Sequence, residues 1–164
     1  MATVTAQQEH APETTQHVDV LIVGAGMSGI GAAHHLQEAL PGTSYAILEA
    51  REAIGGTWDL FRYPGIRSDS DLHTYGFAFE PWTDEKSIAD GDTILAYVKE
   101  TAKVYGIDKK IRYNHKLERA RWSSKTNRWT LDVRADGQLV EMTCKFLFTC
   151  AGYYSYDDPY TPEF

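Results

Sequence analysis

The chain has 164 residues, 43% of them hydrophobic and 24% charged, enough for one domain with its own core. A formal net charge of −7, with no arginine-rich run or basic patch, argues against nucleic acid as a partner. Cys144 and Cys150 lie in or beside an apolar run without C-x-x-C spacing, so they read as free thiols in a reducing, cytoplasmic compartment. No apolar run approaches membrane-spanning length.

Residues 1–17 are polar, rich in Thr, Gln, Glu and Ala, and lack apolar periodicity, so they are expected to be a disordered leader. Val18, Val20, Leu21, Ile22 and Val23 then form an unbroken apolar run, the pattern of a strand buried on both faces of a parallel sheet. Gly24-Ala25-Gly26-Met27-Ser28-Gly29 follows and matches G-x-G-x-x-G. A helix is expected from about Met27 to Leu40, stopped by Pro41-Gly42. A short strand, Tyr45 to Leu48, ends at Glu49, twenty residues beyond Gly29. Strand, glycine turn, helix, strand and acid stand in the order of a dinucleotide-binding βαβ unit.

Each residue type has a physical task there. Gly24 permits the tight turn, Gly26 lets the backbone approach a pyrophosphate, and Gly29 lets the helix lie close to the strand. The helix N-terminus offers unpaired amides, and Ser28 adds a hydroxyl. Glu49 is placed to accept from ribose hydroxyls. Its charge disfavours a 2′-phosphate, which favours FAD or NAD over NADP at this turn, although the nearby Arg51 weakens that preference. On the helix, Ile30, Ala33, Leu36 and Leu40 are expected against the sheet, with His34, Gln37 and Glu38 outward. His34 and His35, being adjacent, read as surface residues and a poor metal pair.

Residues 51–82 form a long segment dense in Gly, Pro, Asp, Ser and aromatics, a composition that suits a functional loop. Its rings, from Trp58 to Trp82, either cover the end of the sheet or line a pocket for a planar ligand. A helix is expected from Asp92 to Tyr105, capped by Asp92 or Thr93 and closed by Gly106. A strand from Ile111 to His115 follows. Leu117 to Trp122, Trp129 to Arg134 and Leu139 to Cys144 then read as a three-stranded antiparallel meander. The apolar run from Phe146 to Gly152 is expected as a separate strand returning to the parallel sheet. The tail from Tyr153 to Phe164 reads as a linker.

Gly55-Gly56-Thr57-Trp58, Arg62-Tyr63-Pro64-Gly65, Arg67-x-Asp69 and Thr149-Cys150-Ala151-Gly152 together resemble segments of Baeyer–Villiger and flavin-containing monooxygenases. The run from Gly55 to Asp71 and the later YGIDKKIRYNHK are most similar to the ethionamide-activating type of actinobacteria. The resemblance implies an α/β, Rossmann-like FAD-binding domain over residues 18–152, truncated, carrying an inserted three-stranded antiparallel meander. Residues 153–164 would begin the linker to an NADPH domain.

Members of that family are roughly three times longer. They carry a second glycine motif for NADPH and an F-x-G-x-x-x-H-x-x-x-W signature, neither of which occurs here. The chain thus reads as an N-terminal portion whose complementing C-terminal part completes the flavin site. The implied reaction uses FAD, NADPH and O₂ to oxygenate a ketone or a soft sulfur or nitrogen. The resemblance places Gly24, Gly26, Ser28 and Gly29 at the pyrophosphate, and Glu49 and Arg51 at the adenosine ribose. It places Gly56, Thr57 and Trp58 along the flavin, Asp69 and Tyr75 near its ring system, and the Lys116-Leu117 backbone at the adenine. Arg67 and Asp69 are the nearest candidates for electrostatic support, or else a loop salt bridge, and no catalytic residue is assigned. Two further readings stand beside this one: a non-catalytic flavin- or nucleotide-binding module, and an NAD-dependent dehydrogenase domain.

Overall fold

The computed structural model describes residues 16–154 and 160–164. Most of the expected leader and part of the expected linker therefore lie outside the described residues. The elements are β1 (Gln16–Val23), α1 (Met27–Ala39), β2 (Tyr45–Leu48), α2 (Thr57–Leu60), α3 (Leu72–Tyr75), α4 (Gly91–Val104), β3 (Ile111–Arg112), β4 (His115–Ser123), β5 (Arg128–Ala135) and β6 (Gln138–Thr149). Gln16 and His17 already belong to β1, so the strand starts two residues inside the expected leader. His17 is tied down by Thr143 Oγ1 at 2.9 Å, a contact across the sheet that local composition does not encode.

The strands form one mixed sheet in the order β3-β2-β1-β6-β5-β4. β1 lies between β2 and β6, parallel to both, while β4, β5 and β6 run antiparallel. The third strand of the meander and the returning strand are a single twelve-residue element, not two. Its first half pairs with β5 and its length from Met142 onward pairs with β1. No glycine or proline interrupts it, so nothing in the backbone forces the break expected after Cys144.

Two apolar clusters hold the sheet. Val20, Ile22, Tyr45 and Ile47 pack against Ile30 and Ala33 of α1 and Val98 and Ala102 of α4. Val18, Leu21, Ala46 and Leu48 pack against Leu131, Val133, Met142 and Cys144. The antiparallel half of the sheet therefore folds over the opposite face of the parallel half. β1 changes faces at Asp19, where the amides of Asp19 and Val20 both donate to Ser44 O at 3.0 Å. Val18 and Leu21 share a cluster although strict alternation would separate them, and β6 changes face at the same level, with Met142 and Cys144 and then Leu147 in that cluster, while its register with β1 stays unbroken.

Several local expectations shift. α4 begins at Gly91 with Asp90 as its extended N-cap residue, not at Asp92 or Thr93. Asp90 is fixed there by a bridge to Arg67 and an ion pair with Lys86 at 2.8 Å. β3 stops at Arg112 because Asn114 turns the chain with φ 55°, and His115 opens β4 instead. Leu40 is exposed rather than facing the sheet. His34, expected on the surface, is 4% exposed and stacks on Phe79 with ring centroids 3.5 Å apart. Phe146 and Phe148, on the strand expected to return to the parallel sheet, remain 69% and 55% exposed, because among the described residues nothing covers that face of β6. No described helix is long and apolar enough to cross a membrane.

Candidate functional site

The carboxyl ends of β1 and β2 and the amino end of α1 converge on the glycine turn. Gly24 has φ 102°, and a Cβ there would meet Cys150 O at 2.4 Å, so the turn is glycine-only on both counts. A Cβ at Gly29 would lie 1.9 Å from Gly24 O, so this glycine lets helix and strand touch. Gly26 has ordinary extended dihedrals and faces only Gly56 Cα, 3.7 Å from where its Cβ would sit. The two glycine segments are joined by the Gly55 amide donating to Ala25 O at 3.0 Å. Their shared bare backbone leaves room for a ligand at the start of α1.

That helix end carries no side-chain cap and no acid in its first turn. Its amides and its positive dipole end are therefore available to an anion. Glu49 closes the other side. It is 7% exposed, its Oε2 accepts from the Ala25 amide at 2.9 Å and its Oε1 from the Arg51 amide at 3.0 Å. Each oxygen keeps a further lone pair for a hydroxyl. Burial, with the Glu49 and Asp108 charges added, raises the nearby Tyr113 phenol above its ordinary value.

Arg51 turns toward the glycine loop. Its guanidinium donates to Gly56 O at 3.4 Å and to Asp59 Oδ2 at 2.6 Å. Arg62 donates to the other oxygen of Asp59 at 2.9 Å and to its carbonyl at 2.9 Å. Asp59, 2% exposed, is thus the buried anchor of the loop that carries Gly56, Thr57 and Trp58. Sequence reasoning passed over it. The signal was one acid set eight residues after one arginine and three before another, the second a helical spacing.

Trp58 Nε1 donates to Tyr75 OH at 3.0 Å, which locks two of the expected flavin-side rings together. Tyr75 and Phe77 line an open groove of about 430 Å³ with Met27, Ser28, Gly31, Ala32 and Phe148. The aromatics of residues 51–82 therefore divide between the two expected tasks. Trp82 is buried with Leu72, Ala89 and Ile94, whereas Tyr75 and Phe77 face the groove.

The structure gathers Gly24, Gly26, Ser28, Gly29, Glu49, Arg51 and Gly56 at one mouth, with Thr57 opening α2 beside them. Leu117 lies on β4, which leaves this mouth at His115, whose amide donates to Glu49 O at 2.9 Å. Asp69 is exposed, accepts from Ser70 Oγ at 3.2 Å, and joins none of these contacts. Among the described residues no ion pair links Arg67 to Asp69; Arg67 instead bridges Asp90 through its backbone. Cys144 and Cys150 are free, and burial pushes the Cys144 thiol from 9.0 up to about 11.

The family model described as "NAD(P)-binding Rossmann-like domain" matches residues 22–85, the glycine turn, Glu49 and the arginine-anchored loop. The FAD-containing monooxygenase EthA of Mycobacterium tuberculosis is 61% identical over 150 residues, 92% of this chain. The chain is homologous to FAD-containing monooxygenases. It spans 31% of the length of that relative. Among solved structures, a steroid monooxygenase bound to NADP superposes with a TM-score of 0.77 at 30% identity, covering 91% of this chain and 28% of that one. OTEMO in complex with FAD and NADP gives a TM-score of 0.72 at 30% identity, covering 84% of this chain and 26% of that one. In this monooxygenase homologue, then, the matched stretch is the mixed sheet together with its glycine turn.

Proposed function

We propose that this chain is the flavin-holding part of an NADPH-dependent monooxygenase of the Baeyer–Villiger type. Bound FAD would supply the oxygen-activating chemistry, with NADPH as reductant and O₂ as co-substrate, and a ketone or a soft sulfur or nitrogen compound as the group oxygenated. The observation that carries this reading is the uncapped α1 N-terminus facing the Gly26–Gly56 gap, with Glu49 fixed beside it.

In this reading Gly26, Ser28 and the first amides of α1 hold the pyrophosphate, and Gly24 and Gly29 shape the turn. Glu49 accepts from the ribose, while Arg51 acts one step away, holding the loop that carries Thr57 through Gly56 O and Asp59. Trp58 and Tyr75 form the wall along the flavin, Leu117 offers backbone to the adenine, and Asp69 sits at the outer edge. A complementing C-terminal portion would supply the NADPH site and cover the open groove. The two unpaired thiols support a reducing, cytoplasmic setting.

The test is a titration of the purified chain with FAD and separately with NAD, followed by flavin fluorescence and visible absorption. Weak, saturable FAD binding, stronger than NAD binding and not bleached by NADPH, is expected. Preference for NAD would favour a dehydrogenase domain, and bleaching by NADPH would place a nicotinamide site in this chain; either result overturns the proposal.

A further inference from the structure

On the outer flank of α1, three side chains with metal-binding atoms point at one another. His34, His35 and Glu38 each offer one such atom, and the three atoms lie within 4.8 Å of one another. The spacing follows from the helix: Glu38 is four residues from His34 and three from His35, so both histidines reach it. His34 Nε2 is 3.3 Å from Glu38 Oε2, and His35 Nδ1 is 3.9 Å from the same oxygen.

His34 makes this more than a surface cluster. Its side chain is 5% exposed, yet Nε2 is buried without a hydrogen-bond partner; Glu38 stands near it in a direction that makes no hydrogen bond. The ring cannot turn away, because Phe79 stacks on it at 3.5 Å and Tyr105 meets it edge-on at 4.4 Å. Leaving a buried polar atom unpaired is unfavourable, so the packing holds this nitrogen in place at some expense.

We propose that His34, His35 and Glu38 bind a divalent transition metal of the zinc class. Imidazole and carboxylate donors suit such an ion better than magnesium or calcium, which prefer all-oxygen shells. Bonds of about 2.0–2.1 Å in a tetrahedral shell put neighbouring ligand atoms about 3.3 Å apart. His34 and Glu38 already meet that spacing, and the exposed His35 closes the remaining gap by a small side-chain rotation. Solvent takes the fourth position.

The consequence reaches the groove. His34 is stacked on Phe79, Phe79 on Phe77 at 4.8 Å, and Phe77 forms part of the groove wall. Tyr105 OH donates to Phe79 O at 3.0 Å, closing the same unit from α4. A metal on His34 therefore fixes the aromatic loop against α1. The site stands independently of the flavin reading.

Zinc chloride is titrated into the purified chain in competition with a chromogenic zinc chelator, and thermal unfolding is followed with and without the ion. One equivalent is expected to bind and to raise the Tm. His35→Ala and Glu38→Gln, both at exposed positions that leave the core intact, should each weaken binding at least about tenfold, the scale on which even outer partners of a metal act. His73→Ala, on a separate exposed helix, should leave it unchanged. Absence of stoichiometric binding, or binding that survives both ligand substitutions, overturns the proposal.

Discussion

Alanine at position 29 and alanine at position 26 separate the two tasks of the glycine turn. A Cβ at Gly29 lies 1.9 Å from Gly24 O, about 1.5 Å inside ordinary contact. The obstacle is a backbone oxygen rather than the far end of a flexible side chain, and Gly24 itself sits at φ 102° close against the Cys150 backbone. Overpacking a core costs about 1–3 kcal/mol where side chains give way, so about 3 kcal/mol or more is expected here. For a chain of this size that lowers the Tm by roughly 10 °C. Gly26→Ala meets only Gly56 Cα at 3.7 Å, and its φ of −81° suits any residue. Its stability should stay within about 1 kcal/mol of the parent, helped by the lower entropy of the unfolded chain. Its methyl group nevertheless occupies the space where a pyrophosphate would approach, so FAD affinity should fall at least about tenfold, or 1.4 kcal/mol. Urea unfolding followed by tryptophan fluorescence measures the first quantity, and flavin fluorescence titration the second. If Gly26→Ala is as destabilised as Gly29→Ala, or binds FAD like the parent, the assignment of roles is wrong.

Asp59→Ala should destabilise the chain by about 3 kcal/mol, because it leaves two guanidinium groups without the carboxylate that gathers them. A double-mutant cycle should show stronger coupling of Asp59 to Arg51 than to Arg62, since Arg62 is the more solvent-exposed partner. At high pH the buried Cys144 thiol is a liability. Its pKa of about 11 in the folded chain lies above its ordinary 9.0, so the unfolded chain gives up the proton first. Stability should therefore fall as pH rises from 9 toward 11, and Cys144→Ala should flatten that fall in pH-dependent urea midpoints. The same burial should keep Cys144 unreactive toward a soluble thiol reagent at neutral pH until the chain unfolds.

The βαβ unit was legible because its determinants are local. An apolar run, a glycine turn, a helical stop and a strand ending in an acid each act over a few residues, and β2 falls on its expected bounds. The roles of Gly24 and Gly29 were legible for the same reason, since each depends on a backbone approach that the motif spacing dictates. Tertiary packing decided the rest. His34 is buried because Phe79, forty-five residues away, folds over it, and helical periodicity alone assigns it to the outer face. Asp59 became an anchor when the loop brought Arg51 and Arg62 to its two oxygens. β6 runs as one strand because β5 and β1 offer it edges at opposite ends, a long-range pairing that apolar pattern cannot register. The exposed Phe146 and Phe148 show the same limit: sequence determined that β6 is apolar on that face, and only the fold decided what stands against it. Local sequence fixes which backbone conformations are allowed; burial depends on which distant segments arrive, and that is settled by packing.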